Sequence, residues 1–272
     1  MRTGGIGASL SHLGTLDEFA RADTPVGRVD PRAKLVATAA FLATVASFDR
    51  YQVSALLPLA LYPVALLALG DVPAGPILWR LALASPLAVL VGIANPLLDR
   101  APAGRVGPFL VTAGFLSFAS ILVRFALSVS AALLLVATTG FNSVCAGLGW
   151  FRVPQVLVAQ LLFLYRYLFV LSGEVARALR AHALRSPSRP APSLRVAGSL
   201  LGQGLLRTVD RAQRIHSAMR CRGFDGELRL RRRLRARPSD LVFVAGWCAF
   251  FWLARTFDLP RLLGAALAGR GS

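Results

Sequence analysis

The sequence predicts an all-α, polytopic membrane protein of about five transmembrane helices, with a basic helical domain inserted before the last span. Two properties indicate this class. Hydrophobic residues make up 55% of the 272 residues and charged residues only 16%, which is few for a soluble domain of this length. The formal charge is nevertheless +18, and much of it falls in one arginine-rich block. Long apolar runs beside such a block are typical of a membrane protein with a polar cytoplasmic part.

Five apolar runs are interpreted as the spans. Arg28, Arg32 and Lys34 precede the first run, and this positive charge favours a cytoplasmic start. Asp30 and Pro31 are expected to cap and open the first helix. The predicted spans are 35–48, 54–70, 77–98, 119–139 and 241–254. The chain thus divides into an N-terminal cytoplasmic arm (1–31), a four-helix membrane part (32–140), a cytoplasmic domain of amphipathic helices (141–238), and a last span with its tail (239–272).

Several details of the membrane part follow from single residues. Pro86 and Pro96 are expected to bend the third span. Residues 99–107 are expected to form an exterior loop, and residues 109–118 a partial helix before the fourth span. Arg124 interrupts that span, and a charge there normally faces protein or water. It either pairs with a carboxylate of this chain or of a partner, or lies near the membrane interface.

The cytoplasmic domain contains the basic block. Residues 174–237 hold sixteen arginines against four carboxylates. Before the block, residues 156–171 are apolar, and Tyr165, Arg166 and Tyr167 mark an interfacial position. The proline-rich stretch 186–193 separates two helices.

Residues 204–223 form the most distinctive of these helices. Apolar residues recur at spacings of three and four and make one stripe, while arginines occupy another face. Gly223 follows the last helical residues and is expected in the left-handed cap position. The stretch ends in the pattern Ala-x-x-x-Arg-Gly, and the preceding helix ends in Ala-x-x-x-Arg-Ser. The pattern residues are Ala181, Arg185 and Ser186 in the first helix and Ala218, Arg222 and Gly223 in the second.

The sequence contains no pattern for catalysis or for a metal. A phosphate-binding loop is absent, so ATP is not expected to bind here. The three histidines do not form a metal-type cluster, and the three cysteines are scattered without a C-x-x-C motif. We therefore expect no enzyme activity, no metal site and no cofactor in this chain.

Three interpretations of the basic domain remain open. It binds anionic lipid at the inner face of the membrane, or nucleic acid, or a cytoplasmic partner with acidic clefts. Nucleic acid is disfavoured, since no aromatic platform is interleaved with the arginines. Docking to a partner is favoured, because it alone accounts for the doubled motif.

The doubled motif resembles the signature of the transmembrane T component of energy-coupling factor (ECF) transporters, the EcfT/CbiQ family. Arg211 is part of the resemblance, and Ser186 departs from the more common glycine. The sequences of residues 30–35 and 165–170 are most similar to the cobalt-type CbiQ branch. Further similar segments are 30–35 (DPRAKL), 95–98 (NPLL), 165–170 (YRYLFV) with Glu174, and 218–226.

This resemblance implies a scaffold in the cell (plasma or inner) membrane that has no catalytic function. Its coupling helices would rest on two ATP-binding cassette (ABC) subunits similar to CbiO or EcfA, which bind ATP and magnesium. They would transmit motion to a substrate-binding S component similar to CbiM or CbiN. Cobalt is the expected substrate and nickel the second choice. The alternatives are a lipid-modifying membrane enzyme with a basic headgroup-binding face and a stand-alone permease. The docking residues implied are Ala181, Arg185, Ser186, Arg211, Ala218, Arg222 and Gly223.

Overall fold

A computed structural model describes residues 24–49, 53–95, 102–106, 109–186, 191–226 and 237–256, and nearly all of them are helical. The predicted all-α polytopic class is confirmed. The chain separates into two compact units: the described residues 24–147 and 237–256 form the first unit, and residues 148–226 the second.

The first unit contains most of the helices. Its elements are α1 (Pro31–Ser47), α2 (Val53–Leu56), α3 (Leu61–Leu69), α4 (Ala74–Gly92), β1 (Pro102–Val106), β2 (Phe109–Thr112), α5 (Ala113–Thr139), most of α6 (Phe141–Trp150), and α9 (Pro238–Thr256). A short 3-10 helix over Leu57–Ala60 joins α2 to α3, and Pro58 lies in its first turn. The second unit contains α7 (Gln155–Arg185) and α8 (Leu194–Cys221).

α1 begins at Pro31, four residues before the apolar run itself. The Asp30 carboxylate accepts a hydrogen bond from the Arg32 amide at 2.8 Å, and Pro31 occupies the first turn, as the sequence predicted. A proline costs nothing there because the first amides of a helix lack intrahelical partners. The first turn lengthens the predicted span 35–48 to a helix of 17 residues.

An aromatic cluster forms the centre of the first unit. Tyr62 lies 4.8 Å from Phe41 and from Trp247, and 5.4 Å from Phe251, measured between ring centroids. The Tyr62 hydroxyl shares a hydrogen bond of 2.7 Å with the Thr38 hydroxyl, so its polar end is satisfied inside the core. These contacts join α1, α3 and α9, which lie far apart in the sequence.

The structure corrects two predictions for the membrane part. Residues 102–106 and 109–112 form an antiparallel hairpin in which Val106 pairs with Phe109, whereas a loop was expected over 99–107 and a partial helix over 109–118. Only residues 113–118 of that predicted partial helix are helical. A short apolar run has no period that separates strand from helix, which explains the error. α5 then begins at Ala113 and continues unbroken to Thr139.

The third predicted span also ends earlier than expected. α4 stops at Gly92, with Pro86 inside it, and the second predicted kink residue, Pro96, lies outside the described residues. By length and composition, three of the described helical segments could cross a membrane: Ala74–Gly92, Gly114–Thr139 and Gln155–Arg185. Val53–Leu69 is a shorter apolar stretch. The third segment includes residues 156–171, which continue without a break into the basic part of α7.

Candidate functional site

The predicted docking motifs lie at the ends of two long helices. α7 has 31 residues and α8 has 28, which corresponds to lengths of about 46 and 42 Å at 1.5 Å per residue. Pro154 precedes α7, and Ser193 caps α8 with its hydroxyl facing the Val196 amide at 3.5 Å. A residue typical of helix starts therefore precedes each helix, and each helix ends at one of the two motifs.

The second motif ends in a Schellman cap. The Gly223 amide donates to the Arg220 carbonyl and the Phe224 amide to the Met219 carbonyl, each at 3.0 Å. This pair of bonds requires a left-handed residue after the cap, and Gly223 has φ +80°. The predicted left-handed cap position of Gly223 is thus confirmed, and Arg222 is the cap residue just before it.

The first motif ends differently. Arg185 is still the last helical residue, and Ser186 is the cap, with φ −131° and its amide donating to the His182 carbonyl at 3.0 Å. A residue with this φ does not need to be glycine. The departure from Ala-x-x-x-Arg-Gly therefore has a local structural reason. Arg185 is the last residue of its helix, whereas Arg222 is the cap residue that follows its helix.

Most of the motif residues lie on the surface. Ala181, Arg185, Ala218, Arg222 and Gly223 are exposed, and Ser186 is partly buried. Small residues one turn before each arginine leave the flank of the helix end open to the backbone or side chains of another molecule.

Arg211 lies away from the helix ends. It precedes Arg222 by eleven residues, or about 16 Å along the axis. Its guanidinium forms an ion pair with Glu174 of α7 at 2.5 Å, and the hydrogen bond to Glu174 raises the pKa of Arg211. The structure thus places Arg211 in a contact between the two helices and does not bring it together with Arg185 and Arg222.

A groove lies next to this ion pair, and the sequence alone did not predict it. It has a volume of about 630 Å³, lies between α7 and α8, and is lined by leucines and by Arg177 and Arg207 as well as the pair itself. The only available signal was the repeated arginine spacing, which does not show that two helices face each other.

The DPRAK segment at the start of α1 has a structural role in the first unit. The Asp240 carboxylate accepts hydrogen bonds from the Asp30 amide at 3.0 Å and from the Arg237 amide at 2.7 Å. The buried Lys34 ammonium donates to the Thr138 carbonyl at 2.9 Å. These bonds fasten the starts of α1 and α9 and the end of α5 to one another.

Arg124 contacts the backbone at the opposite end of α1. Its Nη2 donates to the carbonyls of Phe48 and Asp49, at 2.8 and 2.6 Å. Arg255 reaches the same helix end, donating to the Ser47 carbonyl at 3.3 Å. A cation near carbonyls at a helix C-terminus is favourable. In the described residues, the hydrogen bonds of Arg124 go to backbone carbonyls and not to a carboxylate of this chain, while a pair with a carboxylate of a partner stays a prediction.

The described residues offer no group of three or more His, Cys, Asp or Glu side chains that could hold a metal ion. The three cysteines are free thiols: Cys145 is buried, Cys248 is partly buried, and Cys221 is exposed beside Arg222.

Comparison with known proteins gives the family. The sequence profile of the cobalt transport protein family CbiQ matches residues 22–233, most of the chain. The chain belongs to the CbiQ family. The three long apolar helices among the described residues fit a membrane protein of this family.

Three curated relatives align with parts of the chain. The cobalt transport protein CbiQ of Rhodobacter capsulatus is 32% identical over 118 residues, 41% of this chain and 45% of the relative. The nickel permease LarQ of Lactiplantibacillus plantarum is 32% identical over 89 residues, 33% of each chain. An uncharacterized protein of Methanocaldococcus jannaschii is 27% identical over 124 residues, 45% of this chain and 42% of its own. The chain thus spans less than half the length of each.

Proposed function

We propose that this chain is the T component of an ECF-type ABC importer, a scaffold that transmits motion from two ATPase subunits to a substrate-binding membrane protein. One observation carries the proposal: two long helices of one unit each end in an exposed Ala-x-x-x-Arg tip. A single lipid-binding helix would not need this doubled arrangement.

The chemistry of the tips suits docking onto acidic grooves. Arg185 and Arg222 present planar guanidinium groups that can bind a carboxylate by two parallel hydrogen bonds. Each stands at a helix end, where a rigid rod transfers a displacement at its tip along its length. ATP and magnesium would be held by the ATPase subunits, and the reaction would be theirs. Motion reaches this chain only through contacts that differ between the ATPase states.

The substrate we propose is cobalt, with nickel as the second choice. The family description and the Rhodobacter relative name cobalt, and LarQ is a nickel permease. The metal would be recognised by a separate S component similar to CbiM or CbiN, and it would be cargo of the assembly.

We place the protein in the cell (inner) membrane with the tips of α7 and α8 in the cytoplasm. The sixteen arginines of residues 174–237 support this side, since basic segments next to membrane helices are retained there. ABC ATPases also work where ATP is available.

The test is affinity purification of the tagged chain from its native membrane in mild detergent. We expect two ABC ATPase subunits and a small membrane protein with the wild-type chain, and loss of the ATPases from R185A/R222A. The matched control is R180A/R214A, which changes exposed arginines of the same helices away from the tips. Recovery of the chain alone, with metal transport in vesicles lacking any ATPase, would contradict the proposal and favour a stand-alone permease.

A further inference from the structure

The groove between α7 and α8 combines an apolar wall with positive charge. Its apolar lining includes Leu171, Val175, Leu200, Leu201 and Leu205. Leu201 and Leu205 remain about two-thirds exposed. Leucines exposed at consecutive turns of a basic helix indicate a surface that is covered by another apolar molecule.

The charged part of the lining is unbalanced. Arg177, Arg207 and Arg211 face the groove against Glu174 as the single carboxylate among its lining residues. Glu174 is hydrogen-bonded to Arg211, and the positive charges of Arg177 and Arg207 also help to lower its pKa. One carboxylate cannot balance three guanidinium groups, so the lining keeps an excess of positive charge for an anion from outside the chain. Two guanidinium groups beside an apolar wall match a ligand with a phosphate at one end and hydrocarbon at the other.

We propose that this groove binds an anionic phospholipid, with the headgroup phosphate on Arg177 and Arg207 and an acyl chain along the leucines. The site is independent of the ATPase-docking tips, because both arginines precede the motif ends of their helices. It assigns a ligand to a surface that the proposed function does not use.

The position of the groove along α7 fits a lipid. Tyr165, Arg166 and Tyr167 carry the aromatic and basic pattern of a membrane interface. Leu171 follows Tyr167 by four residues, about 6 Å along the axis, and the headgroup layer is roughly 5–8 Å thick on each side of the bilayer. Helical side chains lean toward the N-terminus, so Arg177 points back toward that layer.

The test uses the purified full chain, stripped of lipid in detergent and titrated with dioleoyl phosphatidylglycerol or dioleoyl phosphatidylcholine, with bound lipid counted by native mass spectrometry. We expect the wild-type chain to retain phosphatidylglycerol in preference to phosphatidylcholine. R177Q/R207Q should bind phosphatidylglycerol about 30-fold more weakly, the combined loss for two basic residues at an anionic lipid surface. R180Q/R214Q, which changes exposed arginines of the same helices outside the groove, should bind as the wild type does.

The charge-retaining variant R177K/R207K is the control that separates loss of charge from misfolding, and it should recover most of the phosphatidylglycerol binding. Equal retention of both lipids, or unchanged binding by R177Q/R207Q, would overturn the proposal. If millimolar inorganic phosphate displaces phosphatidylglycerol as effectively as added lipid does, the groove is an anion site and not a lipid site. Loss of a co-purifying membrane protein from R177Q/R207Q, with lipid binding intact, would assign the groove to that protein. The lipid result stands or falls separately from the ATPase result, since R185A/R222A leaves the groove unchanged.

Discussion

Single residues decide how the two motif helices end. Gly223 accepts a left-handed φ of +80° that an L-residue adopts only with strain, while Ser186 has a negative φ of −131°, which does not require glycine. The second helix end is therefore fixed by the glycine, and the first is fixed by a cap that many residues could form. The arginines beside them are held by two different local structures.

Gly223→Ala is expected to destabilise the end of α8 by about 1–2 kcal/mol, the cost of left-handed backbone for an L-residue. The added methyl group would meet no atom within 4 Å, so the backbone alone causes the effect. Hydrogen exchange at the Gly223 and Phe224 amides, which make the Schellman bonds, measures it.

Gly202→Ala is the matched control, because Gly202 is inside α8 and its added methyl group would also meet open space. There the helix should gain roughly 0.5–1 kcal/mol. Exchange that changes in the same direction in both variants would show that the Gly223 cap is not formed.

At the scale of helices, contacts between distant segments hold each unit together. Asp240 is buried, 6% exposed, and accepts amide bonds from Asp30 and Arg237, which are 210 and 3 residues away. In the second unit, the pair Glu174–Arg211 links α7 to α8. Carboxylates that accept backbone or guanidinium donors at such junctions fix how one helix meets another.

Asp240→Asn is expected to destabilise the first unit by about 1–3 kcal/mol, because an amide has one acceptor oxygen for two backbone donors. Thermal unfolding of the purified protein in detergent checks this. Asp71→Asn should leave the melting temperature unchanged, since Asp71 is exposed and has φ 48°, a conformation that asparagine tolerates. A melting temperature lowered equally by both changes would argue against the junction.

For the pair between α7 and α8, charge reversal is the sharper change. Glu174→Arg places two guanidinium groups side by side and is expected to reduce coupled metal uptake. Adding Arg211→Glu restores an attractive pair, so E174R/R211E should recover much of the uptake at equal protein level. If the double variant is no better than Glu174→Arg alone, the ion pair does not set the geometry of the helices.

The elements that the sequence predicted well are those with local signals. Asp30-Pro31 at the start of α1 and Gly223 after α8 act through neighbours in the chain, so their roles could be read from the residue types. The hairpin at 102–112 had no such signal, because its short runs have no clear period. The Asp30–Asp240 bond and the groove of Arg177 and Arg207 depend on chain segments that only the folded structure brings together.

At the scale of the whole molecule, charge and apolar length determine how the protein lies in a membrane. The apolar first half of α7 and the arginine-rich second half belong to one unbroken helix. Such a helix has one end that lipid accepts and one that water and anions accept. The proposed orientation therefore fixes the side on which the motif tips emerge.

Cys221 provides a direct test of this orientation, because it is an exposed thiol beside Arg222 at the tip of α8. A membrane-impermeant maleimide should label it in inverted membrane vesicles and not in intact cells. Cys221→Ser should remove this labelling, since Cys145 is buried and Cys248 is partly buried. Addition of the ATPase subunits should slow the reaction at Cys221 if they cover the tip. Labelling of Cys221 in intact cells would place the tips outside, where no ATP-dependent partner could reach them, and the coupling role would fail with the orientation.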